Sequence, residues 1–136
     1  MIKYVAGFLF SENREQIALI RKNRPEWQAG KLNGIGGKIE DGEFPIQAMQ
    51  RECLEECGLD IEDWVSFCKL SDAKKTWEVT FFRIFTDLSN ITSMEEEKIE
   101  VISLENLNQE NVISNLRWLI PMAMDNNFPY ATVVQF

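Results

Sequence analysis

The chain has 136 residues, with 14 Lys and Arg against 22 Asp and Glu and no His, a net charge of −8. Its 45% hydrophobic content and a length that buries roughly 68% of the unfolded surface exclude disorder and remove any need for disulfides or a structural metal. The acidic balance excludes a phosphate footprint of the kind a nucleic-acid duplex requires, and no apolar run reaches membrane-spanning length.

The first apolar run, Met1 to Phe10, passes into Ser11-Glu12-Asn13 without a small-residue cleavage site, so it reads as a strand and a cytoplasmic protein is expected. Further strands are predicted at Gln16 to Ile20, Trp64 to Leu70, Thr76 to Phe85, Lys98 to Ile102 and Tyr130 to Gln135, with the first starting at Tyr4. A helix is predicted over Pro45 to Cys57, because Pro45 suits the first helical position and Gly58 the left-handed residue past the end. A short turn is expected near Leu104 to Leu107. The regular part of the C-terminal helix is placed from Arg117 to near Asp125, since Pro121 is tolerated only in a first turn or at a kink. Ser71 to Lys75 and Asp87 to Glu97 read as surface loops. The mixture is α+β, in one domain over residues 1–136.

Cys53, Cys57 and Cys68 are an odd count and read as reduced core thiols, and a zinc site lacks both a fourth ligand and histidine. The Asn90-Ile91-Thr92 sequon is idle in a cytoplasmic chain.

Charge is concentrated. Arg21 to Lys38 carries Arg21, Lys22, Arg24, Lys31 and Lys38 against Glu26, a net of +4. The adjoining Ile39 to Asp63 carries nine acids against Arg51, a net of −8. That juxtaposition suits a polyanion held with divalent cations, although solvated faces of opposite sign are the ordinary alternative. On the predicted helix the period places Ile46, Met49, Cys53 and Cys57 together on one side, which predicts the buried stripe. Glu52 and Glu56 fall side by side along one edge of that stripe, and Arg51 pairs with Glu55 one turn on. Crowded carboxylates raise one another's pKa unless a cation sits between them, and oxygen ligands one turn apart suit Mg²⁺ or Mn²⁺. Gly34, Gly36 and Gly37 precede them as a loop whose backbone can approach a ligand closely.

The order Gly37, five residues, Glu43, seven residues, Arg51-Glu52-Cys53, one residue, Glu55-Glu56, one residue, Gly58-Leu59 resembles the Nudix box GX5EX7REUXEEXGU at every specified position. Phe44 stands where a capping Ser or Thr often precedes the helical proline, at a cost of about 1 kcal/mol. The resemblance implies a Nudix-type α/β/α sandwich around a mixed β-sheet and hydrolysis of a nucleoside diphosphate linked to another moiety. It implies Glu52 and Glu56 as direct metal ligands, Glu55 as a further ligand or an orienter paired with Arg51, a backbone carbonyl at Gly36 or Gly37 completing the shell, and Mg²⁺ as cofactor with Mn²⁺ as the substitute. Glu43 supports the loop and Arg51, and Arg21 or Lys38 adds charge at the phosphates. Without His, the general base is a carboxylate or the metal's own hydroxide. In MutT-type members a further glutamate precedes an apolar strand; Glu100 lines up best here, with Glu97 in reserve.

Ala29 to Lys38 resembles the corresponding stretch of oxidised-purine nucleoside triphosphatases, which implies a base contact for Asn33 and a base-lining role for Trp118. The acidic pair that follows that aromatic in those enzymes is Leu119-Ile120 here. The reading is a small-molecule nucleotide hydrolase yielding a nucleoside monophosphate and pyrophosphate, with 8-oxo-dGTP as a candidate substrate. A diphosphatase of ADP-ribose or dinucleoside polyphosphates, and a non-catalytic nucleotide-binding module, are the alternatives. The residues do not separate a monomer from a homodimer.

Overall fold

The computed structural model describes residues 1–136. In chain order the elements are β1 (Ile2–Ser11), β2 (Gln16–Arg21), β3 (Leu32–Asn33), β4 (Ile35–Lys38), α1 (Pro45–Cys57), β5 (Val65–Asp72), β6 (Trp77–Thr86), β7 (Ile99–Ser103), α2 (Leu116–Met124) and β8 (Ala131–Gln135), with short 3₁₀ turns at Glu26–Gln28 and Leu104–Gln109. They form one mixed eight-stranded sheet in the order β3-β2-β1-β6-β5-β8, with β4 paired to β1 and β7 to β2. The β1–β6 and β5–β8 pairs are parallel and the other strand pairs antiparallel.

β1 is apolar at almost every position because both of its faces are covered. Ala6, Phe8 and Phe10 point into the core shared with Leu116, Leu119 and Ile120 of α2. Val5 and Leu9 point the other way, against Met49, Cys53 and Cys57 of α1. The rings of Phe8, Phe67 and Phe81 lie 5.9–6.3 Å apart, centroid to centroid, in the first of these cores. The expected α+β sandwich is therefore present. No helix is long and apolar enough to cross a membrane.

α1 runs between the residues that predicted it. Phe44 is extended and lacks a capping side chain, but its N–H donates to Gln47 Oε1 at 2.8 Å, which makes half of a capping box. Gly58 has φ 73° and its N–H donates to Leu54 O. All three cysteines are buried and free.

One expectation changes. The glycine segment is not a loop, since Ile35–Lys38 pairs with Tyr4–Gly7 of β1 as an antiparallel strand. A Cβ on Gly36 would lie 1.9 Å from Val5 O, so glycine is required there for close approach between strands rather than for a turn. Pro121 lies inside α2, which begins at Leu116, one residue before the predicted start. The last carbonyls of α2 and the turn beyond them are held by side chains from other elements. Arg83 Nη1 donates to Ala123 O at 2.6 Å, and Arg14 donates to Met124 O and to Asn126 Oδ1 at 3.3 and 2.9 Å. Arg14 also lies 4.0 Å over the Phe85 ring.

Candidate active site

β4 lies against the second and third turns of α1, and the fit is tight enough that a Cβ on Gly37 would stand 2.5 Å from Glu52 Oε1. Gly36 N–H donates to Glu56 Oε1 at 3.1 Å. Glu56 is 7% exposed and belongs to the buried set Ala48, Met49, Cys53 and Cys57, whereas Ile46, expected in that stripe, is 42% exposed; the stripe is rotated toward Ala48 and takes in one of its edge carboxylates, because β4 packs on that side of α1. Burial first, then the charge of Glu52, pushes the Glu56 carboxyl up to about 9. Burial likewise raises Glu52, against the pull of Arg51. The charge of Glu52 adds to the burial of Glu56, so the two carboxylates disfavour one another's ionisation in the metal-free chain.

Arg51 organises the acids around this pair. Its Nε and Nη2 grip Glu43 at 2.7 and 3.0 Å, Nη2 also donates to Lys38 O at 3.0 Å, and Nη1 donates to Glu52 Oε1 at 2.9 Å. Glu55 is half exposed and meets Nη1 at 3.4 Å, and Glu40 stands 3.7 Å away. The guanidinium holds Glu43 below the ordinary carboxylate range. Glu43 thus meets Arg51 directly, the partner it is expected to support.

No three acidic side chains are gathered in ligating geometry, because Glu55 is turned toward Arg51. The donor set nevertheless fits a hard divalent cation. Glu52 and Glu56 offer oxygen only, they stand one helical turn apart beside the Gly36-Gly37 backbone, and a dication would relieve the repulsion between them.

The other expected site residues divide. Lys38 is exposed and enters none of the ion pairs, and its carbonyl accepts from Arg51. Arg21 is occupied: Nε and Nη2 each donate to Glu100 at 2.7 Å, which holds Glu100 below the ordinary range. Glu97, the reserve base, accepts from Lys22 Nζ at 2.9 Å and from the Asn23 N–H at 2.5 Å, and these donors outweigh its burial and lower its pKa. Neither acid is a free proton acceptor in this geometry. Lys22 and Glu95, not singled out in the sequence, are the charges outside the box that act on Glu56; Met94 N–H donates to Glu56 O at 3.1 Å and holds the 87–97 loop there.

Asn33 sits in β3 opposite Ile20, with Oδ1 accepting from Gly34 N–H at 2.8 Å and Nδ2 donating to Gln28 Oε1 at 2.9 Å. Trp118 is 41% exposed on α2 and lines an open hollow of about 390 Å³ with Leu70, Ser114, Asn115, Val133 and Gln135. Asn33 is not part of that lining, but the preceding Leu32 is stapled to the segment that starts α2, accepting from Ile113 N–H and donating to Asn111 O. Asn115 Oδ1 is buried in the hollow's wall without a hydrogen-bond partner. Sequence reasoning missed Asn115, and only the orphaned oxygen reveals it.

Residues 1–126 match the family model described as NUDIX domain. The chain is 39% identical over 69 residues to an 8-oxo-dGTP diphosphatase of Escherichia coli K12, covering 51% of this chain and 53% of that protein. It is 56% identical over 34 residues to an oxidized purine nucleoside triphosphate hydrolase of Danio rerio, covering 25% and 22%. The matches thus span about half the length of the first relative and less of the second. Among solved structures, the fold is shared with MutT from Aliivibrio salmonicida and Vibrio cholerae at a TM-score of 0.77, 22% identity, and coverage of 90% of this chain and 96% of that one. The carboxylate edge of α1, packed on a glycine strand within a match to nearly the whole chain, leaves one assignment: this protein belongs to the Nudix domain family.

Proposed function

We propose that the chain is a Mg²⁺-dependent pyrophosphohydrolase that converts a nucleoside triphosphate to a nucleoside monophosphate and pyrophosphate, with oxidised purine nucleotides such as 8-oxo-dGTP as its substrates. The observation that carries this reading is the pair of buried Glu56 and half-buried Glu52 set against Gly36 and Gly37. A bare acidic site repels a triphosphate, so the pair makes chemical sense only as a cation holder. The names of the Escherichia coli and Danio rerio relatives support the oxidised-purine substrate.

In this reading Glu52, Glu56 and the Gly36 or Gly37 carbonyl hold the cation, and Glu55 completes its shell after leaving Arg51. The cation supplies charge neutralisation at the phosphates and a lowered pKa for the attacking water. Arg51 keeps Glu52 oriented through Nη1 while Glu43 fixes the guanidinium from the far side, so the ligand carboxylate loses little freedom on binding. Lys38, free of ion pairs, is the cation available to the phosphates. Trp118 offers a face for the base, Asn115 an acceptor for one of its N–H groups, and Asn33, tethered near the start of α2, a second polar contact.

A phosphate-release screen with Mg²⁺ across canonical and oxidised nucleoside triphosphates, ADP-ribose, nucleotide sugars and dinucleoside polyphosphates tests the proposal. The expected result is pyrophosphate from an oxidised purine triphosphate at the highest kcat/KM. Silence on every nucleotide overturns the enzyme reading, and preferential cleavage of ADP-ribose or a dinucleoside polyphosphate replaces the substrate.

A further inference from the structure

We propose that Gln28 is a positioning residue that fixes which end of the Asn33 amide is offered to the nucleotide, and thereby helps to set base preference. The inference rests on the assignment of Asn33 to a base contact made above. A primary amide on a half-buried strand can present either its oxygen or its nitrogen, and an unrestrained one does not distinguish an acceptor such as a guanine O6 from a donor such as an adenine N6 amine.

Here both ends are committed. Gly34 N–H donates to Asn33 Oδ1, and Gln28 Oε1 accepts from Nδ2. One Nδ2 hydrogen and one Oδ1 lone pair remain, in a fixed relative arrangement. Gln28 is itself anchored. Its N–H donates to Pro25 O and its carbonyl accepts from Lys31 N–H, each at 2.9 Å. The turn closes at Gly30, with φ 81°, whose N–H donates to Lys22 O at 2.8 Å and whose carbonyl accepts from Arg21 Nη1 at 3.1 Å. Because Arg21 is clamped by Glu100, a continuous set of bonds runs from β7 through Arg21 and Gly30 to Gln28 and Asn33. In this arrangement Arg21 and Glu100 hold the turn rather than touch the phosphates.

The test compares wild type with Gln28→Leu, Gln28→Glu and Asn33→Ala, using Mg²⁺ with 8-oxo-dGTP, dGTP and dATP. Gln28→Leu removes the acceptor and should raise KM for the preferred nucleotide about tenfold while kcat stays within about twofold, narrowing the kcat/KM ratio between guanine-type and adenine-type bases. Gln28→Glu keeps an acceptor and should restore wild-type preference. In ¹⁵N-edited spectra the Asn33 side-chain amide should shift in Gln28→Leu and return in Gln28→Glu. Gln28→Met, of similar length and without the acceptor, takes the place of the Leu variant if that fails to fold. Wild-type kinetics and an unmoved Asn33 resonance in Gln28→Leu, alongside a raised KM in Asn33→Ala, overturn the role of Gln28 alone. An unchanged KM in Asn33→Ala instead overturns the base-contact assignment, and this inference with it.

Discussion

The two helices of this protein are held in place by opposite means. α1 carries its own instructions: a proline at its first position, a left-handed glycine past its end, a half capping box, and an arginine that gathers the acids on and around it. α2 has an internal proline and no side-chain cap at its start, and its far end is gripped by Arg14 and Arg83 from distant parts of the chain. The difference tracks what each face offers. Beside α1 a cluster of acids drawn from residues 40 to 56 repels a polyanion unless a cation intervenes. Beside α2 a hollow assembled from residues 70, 114, 115, 118, 133 and 135 presents an aromatic face and an unpaired amide oxygen. On the function proposed above, such a division would let chemistry and recognition be changed separately.

The largest test of that division is Glu56→Gln, which should cut Mg²⁺-dependent turnover at least about a hundredfold while leaving the KM of the residual activity within about threefold. Gly36→Ala attacks the same region through packing. Its Cβ would meet Val5 O at 1.9 Å, so the strand must shift, at a cost of about 3 kcal/mol, visible as a lowered urea midpoint. Trp118→Ala or Asn115→Ala should do the reverse of Glu56→Gln, raising KM about tenfold with kcat little changed. If either hollow variant instead abolishes turnover at saturating substrate, the two faces are not separable.

A subtler effect comes from pH. The folded metal-free chain keeps the Glu56 proton up to about 9, whereas the ordinary carboxyl value is 4.5. The stability this group contributes is fully present below about 4.5 and is lost as pH rises toward 9. Metal-free wild type should therefore lose Tm across that window, and Glu56→Gln should flatten the slope and be the more stable of the two at pH 8. Cation binding displaces the proton, so the Tm gained with Mg²⁺ should be larger at pH 8 than at pH 6. A gain independent of pH would mean that the cation binds elsewhere. Smallest of all, Arg83→Ala should lower stability by about 1–2 kcal/mol through the uncapped α2 end, and should affect KM more than kcat.

The legibility of the two faces in the sequence differed for a physical reason. The spacing from Gly37 to Leu59 lies within one strand, one turn and one helix, where 3.6 residues per turn fixes which side chains align. Glu52 beside Glu56, Arg51 beside Glu55, and both helix ends were readable from that period. What the period did not reveal is that Glu56 sinks below the surface, because its burial depends on β4 packing against α1, where the Gly36 N–H reaches Glu56 and the missing Cβ of Gly37 leaves room for Glu52. The glycine run was read as a loop since glycine favours turns, and it is a strand because β1 supplies a partner from the far N-terminal end of the chain. Glu100 and Arg21 looked available as separate residues, yet the antiparallel pairing of β2 with β7 brings them together and binds each to the other.

The sequence alone determined the α+β composition, the bounds of α1 and the grouping of carboxylates along it, because those depend on local periodicity and backbone preference. Only the tertiary structure decided which acid is buried, which cations are spent on partners, and that Asn115 faces a hollow with Trp118. Those properties depend on the distance between segments far apart in the chain, and distance is what sets desolvation, ion pairing and hydrogen bonding.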